Sequence, residues 1–359
     1  MVRDARQARV ELFDAALSRS KPVMDNSGAT ARRYAGGIDG IIDGPYAFRA
    51  DSTLFLDANA EAMLLVDPAG AIVRVFAPPL ARLIARSPVG DGHGHLVLQA
   101  PTGVLSPTSA DSALGAGGHP LVDSLPVMRV DPLTRRIDTI AYVENQVYYL
   151  GTRGVDSCGA PYIRQMLNPL PESDRWVVLS DGTVAVVRAR DFHIDWVALD
   201  GTTTASPKVP HEWHRLLDSN KVALVDSMRA GLVSASPFGG GASFRDDGQT
   251  SAACVAAQRR ARAPDYPTPD NMSDYAAPFR WPDQYGPIFA DADDNVWIHT
   301  SDNPAGGTGP VYLVVNRLGT VTDRIQIPGG TRIAGFGPGF IYLKGRVGGA
   351  TQLVRARIR

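Results

Sequence analysis

Two cysteines in 359 residues, Cys158 and Cys254, leave little room for cysteine chemistry. No Cys-x-x-Cys pair and no Cys/His cluster occurs, which excludes the usual zinc-binding spacings. No apolar run approaches the roughly 18 residues a membrane-spanning helix needs. The opening stretch, residues 1–17, lacks the apolar segment of a secretory signal. Charge of one sign is missing too: 36 Lys plus Arg stand against 37 Asp plus Glu, a net charge of −1. That balance gives no electrostatic reason to expect nucleic acid or an anionic membrane as partner.

Turn formers are abundant, with 36 Gly and 27 Pro, and 44% of residues are hydrophobic. Many turns around a sizeable core point to an all-β fold. Residues 51–76 read as a strand, a turn, a second strand, a tight Pro68-Ala69-Gly70 turn and a third strand. Residues 180–206 and 291–327 repeat this plan, and 91–141 and 337–359 carry weaker copies. Each copy opens on an Asp/Gly-rich turn, at Asp51, Asp91, Asp181, Asp291 and Gly337, spaced by 40, 90, 110 and 46 residues. The short spacings match one blade of a β-propeller, and the long ones hold insertions or a degenerate blade. A β-sandwich would not show such a unit repeat.

The runs RWVVLSDGTVAVVRARDFHIDWVALDG (175–201) and DNVWIHT with VYLVVNRLGTVTDRIQIP (294–328) resemble TolB-like and NHL-like six-bladed propeller proteins of bacteria. The resemblance implies six four-stranded antiparallel blades, whereas five copies are countable. It also implies an extracytoplasmic protein. The N-terminal stretch taken alone points to the cytoplasm, so the compartment stays open.

In this reading residues 1–45 form a lead-in and residues 46–359 the propeller. Val10, Phe13 and Leu17 fall at helical spacing and predict a short amphipathic helix. Residues 21–25, with Pro22 suited to a sheet edge, are expected to close the ring against 351–359. With strands A to D running from channel to rim, the A–B and C–D turns are all tight. The long segments 100–126, 301–310, 143–173 and 207–285 are B–C or D–A connections, so all fall on one face. Within 211–230 two short cap helices are expected, from Trp213, Leu216 and Leu217, then Val222, Val225 and Met228, with Asp218 or Ser219 capping the second.

Insertions on one side of a rigid scaffold mark a binding face. Its candidate polar residues are Arg188, Arg190, Asp191, His193, His299, Asp302 and His119. Taken singly, each is as well explained as a blade-edge salt bridge or strand cap. His211, Glu212 and His214 lack the i, i+4 spacing of a zinc protease helix, and His93 and His95 sit by a hairpin turn on the opposite face. No phosphate loop follows from Gly335, Gly337 and Gly339, where a strand and not a helix comes next. The expected function is therefore a non-catalytic, monomeric propeller without cofactor or metal, binding a protein or small molecule. The alternative is a metal-dependent hydrolase or lactonase with a divalent cation at the channel mouth. Cys158 and Cys254 share the loop-bearing face; two unrelated thiols are the expected state and a disulfide the alternative.

Overall fold

In the computed structural model the chain is an all-β, six-bladed propeller with, among the described residues, one long α-helix. The structure describes residues 1–4, 7–14, 16–27, 30, 32–36, 44–57, 59–78, 88–99, 122–146, 153–155, 157–159, 161–163, 169–170, 172–234, 253–254, 265–276, 278, 288–301, 309–347 and 350–358.

Blade 1 comprises β1 (Val2–Asp4), β2 (Arg9–Phe13) and β3 (Ser20–Asp25). Blade 2 comprises β4 (Gly44–Ala47), β5 (Thr53–Asp57), β6 (Ala62–Val66) and β7 (Ile72–Phe76). Blade 3 comprises β8 (Val89–Gly90), β9 (Leu96–Gln99), β10 (Val122–Val130) and β11 (Ile137–Gln146). A small hairpin follows, β12 (Arg153–Val155) with β13 (Pro161–Ile163). Blade 4 holds β14 (Arg175–Val178), β15 (Val184–Val187), β16 (Ile194–Val197) and β17 (Thr203–Ala205). Blade 5 holds β18 (Ile288–Ala290), β19 (Val296–His299), β20 (Val311–Val315) and β21 (Val321–Gln326). Blade 6 has three strands, β22 (Thr331–Gly337), β23 (Phe340–Val347) and β24 (Ala350–Arg357).

Every blade is an antiparallel meander in chain order. First strands form the inner ring, with β1 against β4, β4 against β8, β8 against β14 and β14 against β18. The approach is close: a Cβ on Gly90 of β8 would lie 1.8 Å from the Ala47 carbonyl oxygen of β4. Only glycine fits there.

Stacking explains why the middle strands are nearly all apolar. Val184–Val187, Val296–His299 and Val311–Val315 are buried on both faces, because each blade is covered by a neighbour on each side. The rim strands β7, β17 and β21 are largely exposed. Five buried clusters fill the seams. Val10, Val23 and Met24 meet Phe55, Leu64 and Val66 between blades 1 and 2, and Leu54 and Leu56 meet Leu96 between blades 2 and 3. Val97 and Val127 meet Val184 and Val186 between blades 3 and 4. Ala185, Val187 and Ile194 meet Val296 and Val315 between blades 4 and 5, and Trp297 and Tyr312 meet Ile333 and Ile341 between blades 5 and 6.

The tight turns share one device, an Asp or Asn carboxyl or amide oxygen that accepts backbone N–H groups of its own turn. Asp91 accepts from His93 and His95, Asp291 from Asp293 and Asn295, Asp131 from Leu133 and Thr134, and Asn316 from Leu318 and Thr320. Asp291 also accepts the Trp297 indole N–H at 2.9 Å, joining turn to core. On the same face Arg129 of blade 3 donates to the carbonyls of Gly182 and Leu199 of blade 4. Arg317 of blade 5 pairs with Asp181 of blade 4.

Several expectations are corrected. The sixth blade is the N-terminal sheet of residues 2–25, where an amphipathic helix was expected. Leu17 sits at φ 56° in a hairpin turn that Asp14 closes by accepting from the Ser18 N–H and hydroxyl. Residues 21–25 do not close the ring against 351–359: Ser20–Asp25 pairs with β2, and β24 pairs with β23. β10 begins at Val122, inside the segment expected as insertion, and β11 runs to Gln146. Of the two expected cap helices there is one, α1 (Asp218–Ser234). It is capped by neither Asp218 nor Ser219 but by the Asn220 amide oxygen, which accepts the Leu217 N–H at 3.0 Å. Its inward face carries Lys221, Leu224, Val225 and Met228, while Val222 is 47% exposed.

Candidate functional face

Two long D–A connections, after blade 3 and after blade 4, make a single cap. Cys158 and Cys254 form a disulfide with Cα atoms 5.7 Å apart, which corrects the expectation of two unrelated thiols. The Ser273 hydroxyl donates to the Glu172 carboxylate at 2.7 Å. Leu170 packs on a small cluster of Val225, Tyr266 and Met272. Three independent ties thus join segments that are far apart in sequence.

Lys221 anchors α1 inside the cap. Its ammonium is buried and donates to the carbonyls of Pro269 and Met272 and to the Asp274 carboxylate at 2.7 Å. A buried ammonium needs such partners, because an unpaired one would be strongly unfavourable. The Lys221 hydrogen bond, with its charge, holds the Asp274 carboxyl below its ordinary range.

Beneath the cap lies the B–C turn of blade 4, residues 188–193, between β15 and β16. The Arg188 N–H donates to the His193 carbonyl at 2.9 Å and closes the turn. Phe192 takes φ 45°, a left-handed conformation uncommon for a bulky side chain. The turn carries four charged or ionisable groups, Arg188, Arg190, Asp191 and His193, and gathers two more, Asp174 and Asp195. The Arg188 guanidinium meets Asp174 at 2.6 Å and Asp195 at 2.7 Å, and also donates to the Tyr142 carbonyl. Burial opposes its charge, but hydrogen bonds to the two carboxylates outweigh this and raise its pKa. Asp174 additionally accepts the backbone N–H groups of Glu144 and Ala189, so it pins the rim strand of blade 3 to the turn of blade 4.

His193 stands between two carboxylates, Nδ1 at 2.8 Å from Asp191 and Nε2 at 3.1 Å from Asp195. Which ring nitrogen donates depends on the tautomer. The array runs from buried Asp174, through half-buried Arg188, Asp195 and His193, to the more open Asp191 and the exposed Arg190.

An aromatic ladder leaves the same turn. Buried Phe192 meets His211 edge to face at 5.5 Å, His211 meets Trp213 at 5.1 Å, and Trp213 meets Tyr275 at 6.4 Å. The chain is directed this way because strand pairing continues past β17: the Ser206 N–H donates to the Ile194 carbonyl and Val209 to Phe192. Leu216 and Ala276 then pair with Asp274 and His214. At the outer end Trp213 is 38% and Tyr275 45% exposed.

The predicted set is thus only partly assembled. Arg188, Asp191 and His193 come together, and Arg190 lies beside them in the same turn. His299 is buried inside blade 5, stacked on Tyr312 with ring centres 5.2 Å apart, and does not reach an open rim. His119 and Asp302 lie outside the described residues. Asp174, Asp195 and the ladder were missed; the signal for Asp174 was an acid immediately before a strand. On the other face His95 pairs with Asp91 at 2.8 Å and His93 reaches the Ser180 carbonyl, as hairpin residues do. Among the described residues no group of three or more His, Cys, Asp or Glu is disposed to hold a metal ion. Among them, too, no helix is long and apolar enough to cross a membrane.

No protein-family model matches the chain, and no curated protein matches it. Solved structures similar to it include a gluconolactonase from Xanthomonas campestris, at 13% identity and TM-score 0.35, covering 94% of this chain and 76% of that one. A virginiamycin B lyase from Staphylococcus aureus aligns at 10% identity and TM-score 0.31, covering 90% and 87%. A calcium-binding protein, regucalcin, from Agrobacterium tumefaciens aligns at 10% and 0.24, covering 85% and 82%. At such values nothing of their chemistry transfers.

Proposed function

We propose that the chain is a binding propeller of the TolB-like or NHL-like kind, which recognises its partner on the loop-bearing face without catalysing a reaction. The observation that carries this reading is the ladder from Phe192 to Trp213 and Tyr275, rooted in the turn that presents Arg190, Asp191 and His193. Half-exposed aromatic rings on a cross-linked support offer apolar contact at low entropic cost. The adjoining donor and acceptor groups supply direction. The partner that fits has an apolar or aromatic edge beside a hydrogen-bonding group, whether on a small molecule or a protein side chain. The carboxylates of the array are already engaged by Arg188, His193 or backbone N–H groups, which suits a rigid recognition surface more than proton transfer.

The test is saturation-transfer NMR with a panel of aromatic amides and short peptides. Expected are ligands whose signals fall at least several-fold with Trp213→Ala and weaken with Asp191→Asn. Ligands indifferent to both variants would contradict the proposal. So would turnover of lactones or esters that requires a divalent cation and survives Trp213→Ala.

A further inference from the structure

Blade 6 differs from the others in charge and in its outer edge. Residues 331–359 contain Arg332, Lys344, Arg346, Arg355, Arg357 and Arg359 and no Asp or Glu, a charge of +6 within a chain whose net charge is −1. The outermost strand, β24, is eight residues long and among the described residues pairs with β23 alone. Blades 2 to 5 place a fourth strand at this position: β7, β11, β17 and β21. In blade 1 the corresponding edge is met by a parallel bridge between Asp25 and Arg33.

The two faces of blade 6 are unlike. Ile341, Leu343, Ala356 and Ile358 pack on the cluster shared with blade 5. Residues alternate along a strand, so Arg355 and Arg357 lie on the opposite face, with Phe340, Tyr342 and Lys344 brought beside them by the register. There the Arg355 guanidinium stands 4.3 Å from the centre of the Phe340 ring, and that of Arg357 at 5.9 Å. No buried cluster among the described residues joins this face to blade 1, whereas the other five neighbouring pairs of blades each have one.

We infer that the β24 edge takes an acidic, extended polypeptide segment of a partner protein as a fourth strand. An exposed strand edge offers main-chain hydrogen bonds to any extended chain. Charge selects among the candidates. A second copy pairing β24 with β24 would set a basic strand against itself, which is unfavourable. A segment carrying Glu or Asp at alternate positions meets Arg355, Arg357 and Lys344 and is steered to them.

The test uses the full chain and fluorescence anisotropy of a labelled decapeptide of alternating Glu and Val. Its control has the same charge with proline in place of valine, so it cannot complete a ladder. Saturable binding is expected, weakened at least tenfold in the proline peptide and in an Arg355→Glu, Arg357→Glu double variant. A Lys344→Glu variant serves if the double variant fails to fold, and should weaken binding several-fold. Absence of binding, equal binding of the two peptides, or equally tight binding of a single-stranded DNA decamer would overturn the inference. The last two results would reduce the edge to a nonspecific cation patch.

Discussion

The two faces of the propeller use similar polar residues for different ends. On the tight-turn face Asp91, Asp131, Asp291 and Asn316 spend their acceptors on backbone N–H groups two to four residues away, and Arg129 and Arg317 tie neighbouring blades. On the loop face Asp191, His193 and Asp195 also bond within their own turn, but Asp174 accepts from Glu144, 30 residues away, Glu172 from Ser273, 101 away, and a disulfide joins residues 96 apart. Local contacts make a turn that any blade can use. Distant contacts make a surface that only this arrangement provides.

That contrast can be broken from either side. The largest effect belongs to the scaffold: Gly90→Ala, driving a methyl into the Ala47 carbonyl, should destabilise by roughly 4 kcal/mol in urea unfolding. Removing the cross-link with Cys158→Ser should lower the stability of the oxidised protein by up to about 4 kcal/mol, since the closed loop encloses all of blade 4. Next comes Asp291→Ala, which strands two backbone N–H groups and the Trp297 indole and should cost about 3 kcal/mol. A smaller change is expected from acid. The Asp274 carboxyl is depressed in the folded cap, so its contribution is present above the ordinary carboxylate range and lost as pH falls below that range through its lowered folded value. Amide protection factors in α1 should therefore fall at acid pH, and Asp274→Asn should remove this dependence. Smallest in stability is Trp213→Ala, within about 0.5 kcal/mol as for an ordinary surface change. Its expected effect is on binding.

The sequence spoke clearly where turn chemistry and β-branched runs coincide, as in SDGTVAVV, whose turn and strand β15 the structure reproduces. It misled where elements are short. Val10 and Phe13 suit a helix by spacing, but in a five-residue strand Val10 and Leu12 alternate with Glu11 just as well, and packing on Phe55 and Leu64 decides. Long-range partners were out of reach: no pattern in the chain brings Cys158 to Cys254, Glu172 to Ser273 or Asp174 to Arg188. Arg188, Asp191 and His193 were legible because they crowd one turn, whereas His299 lies in the core because its strand is covered on both faces by neighbouring blades.

The central claim, that recognition takes place on the loop-bearing face, is tested most directly by hydrogen–deuterium exchange. The measurement would be made with and without the tightest ligand from the aromatic-amide and peptide panel. Protection confined to residues 188–193, 211–217 and 273–276 is the predicted result. Protection at the tight turns around Gly70, Thr134, Gly201 and Gly319 would contradict it.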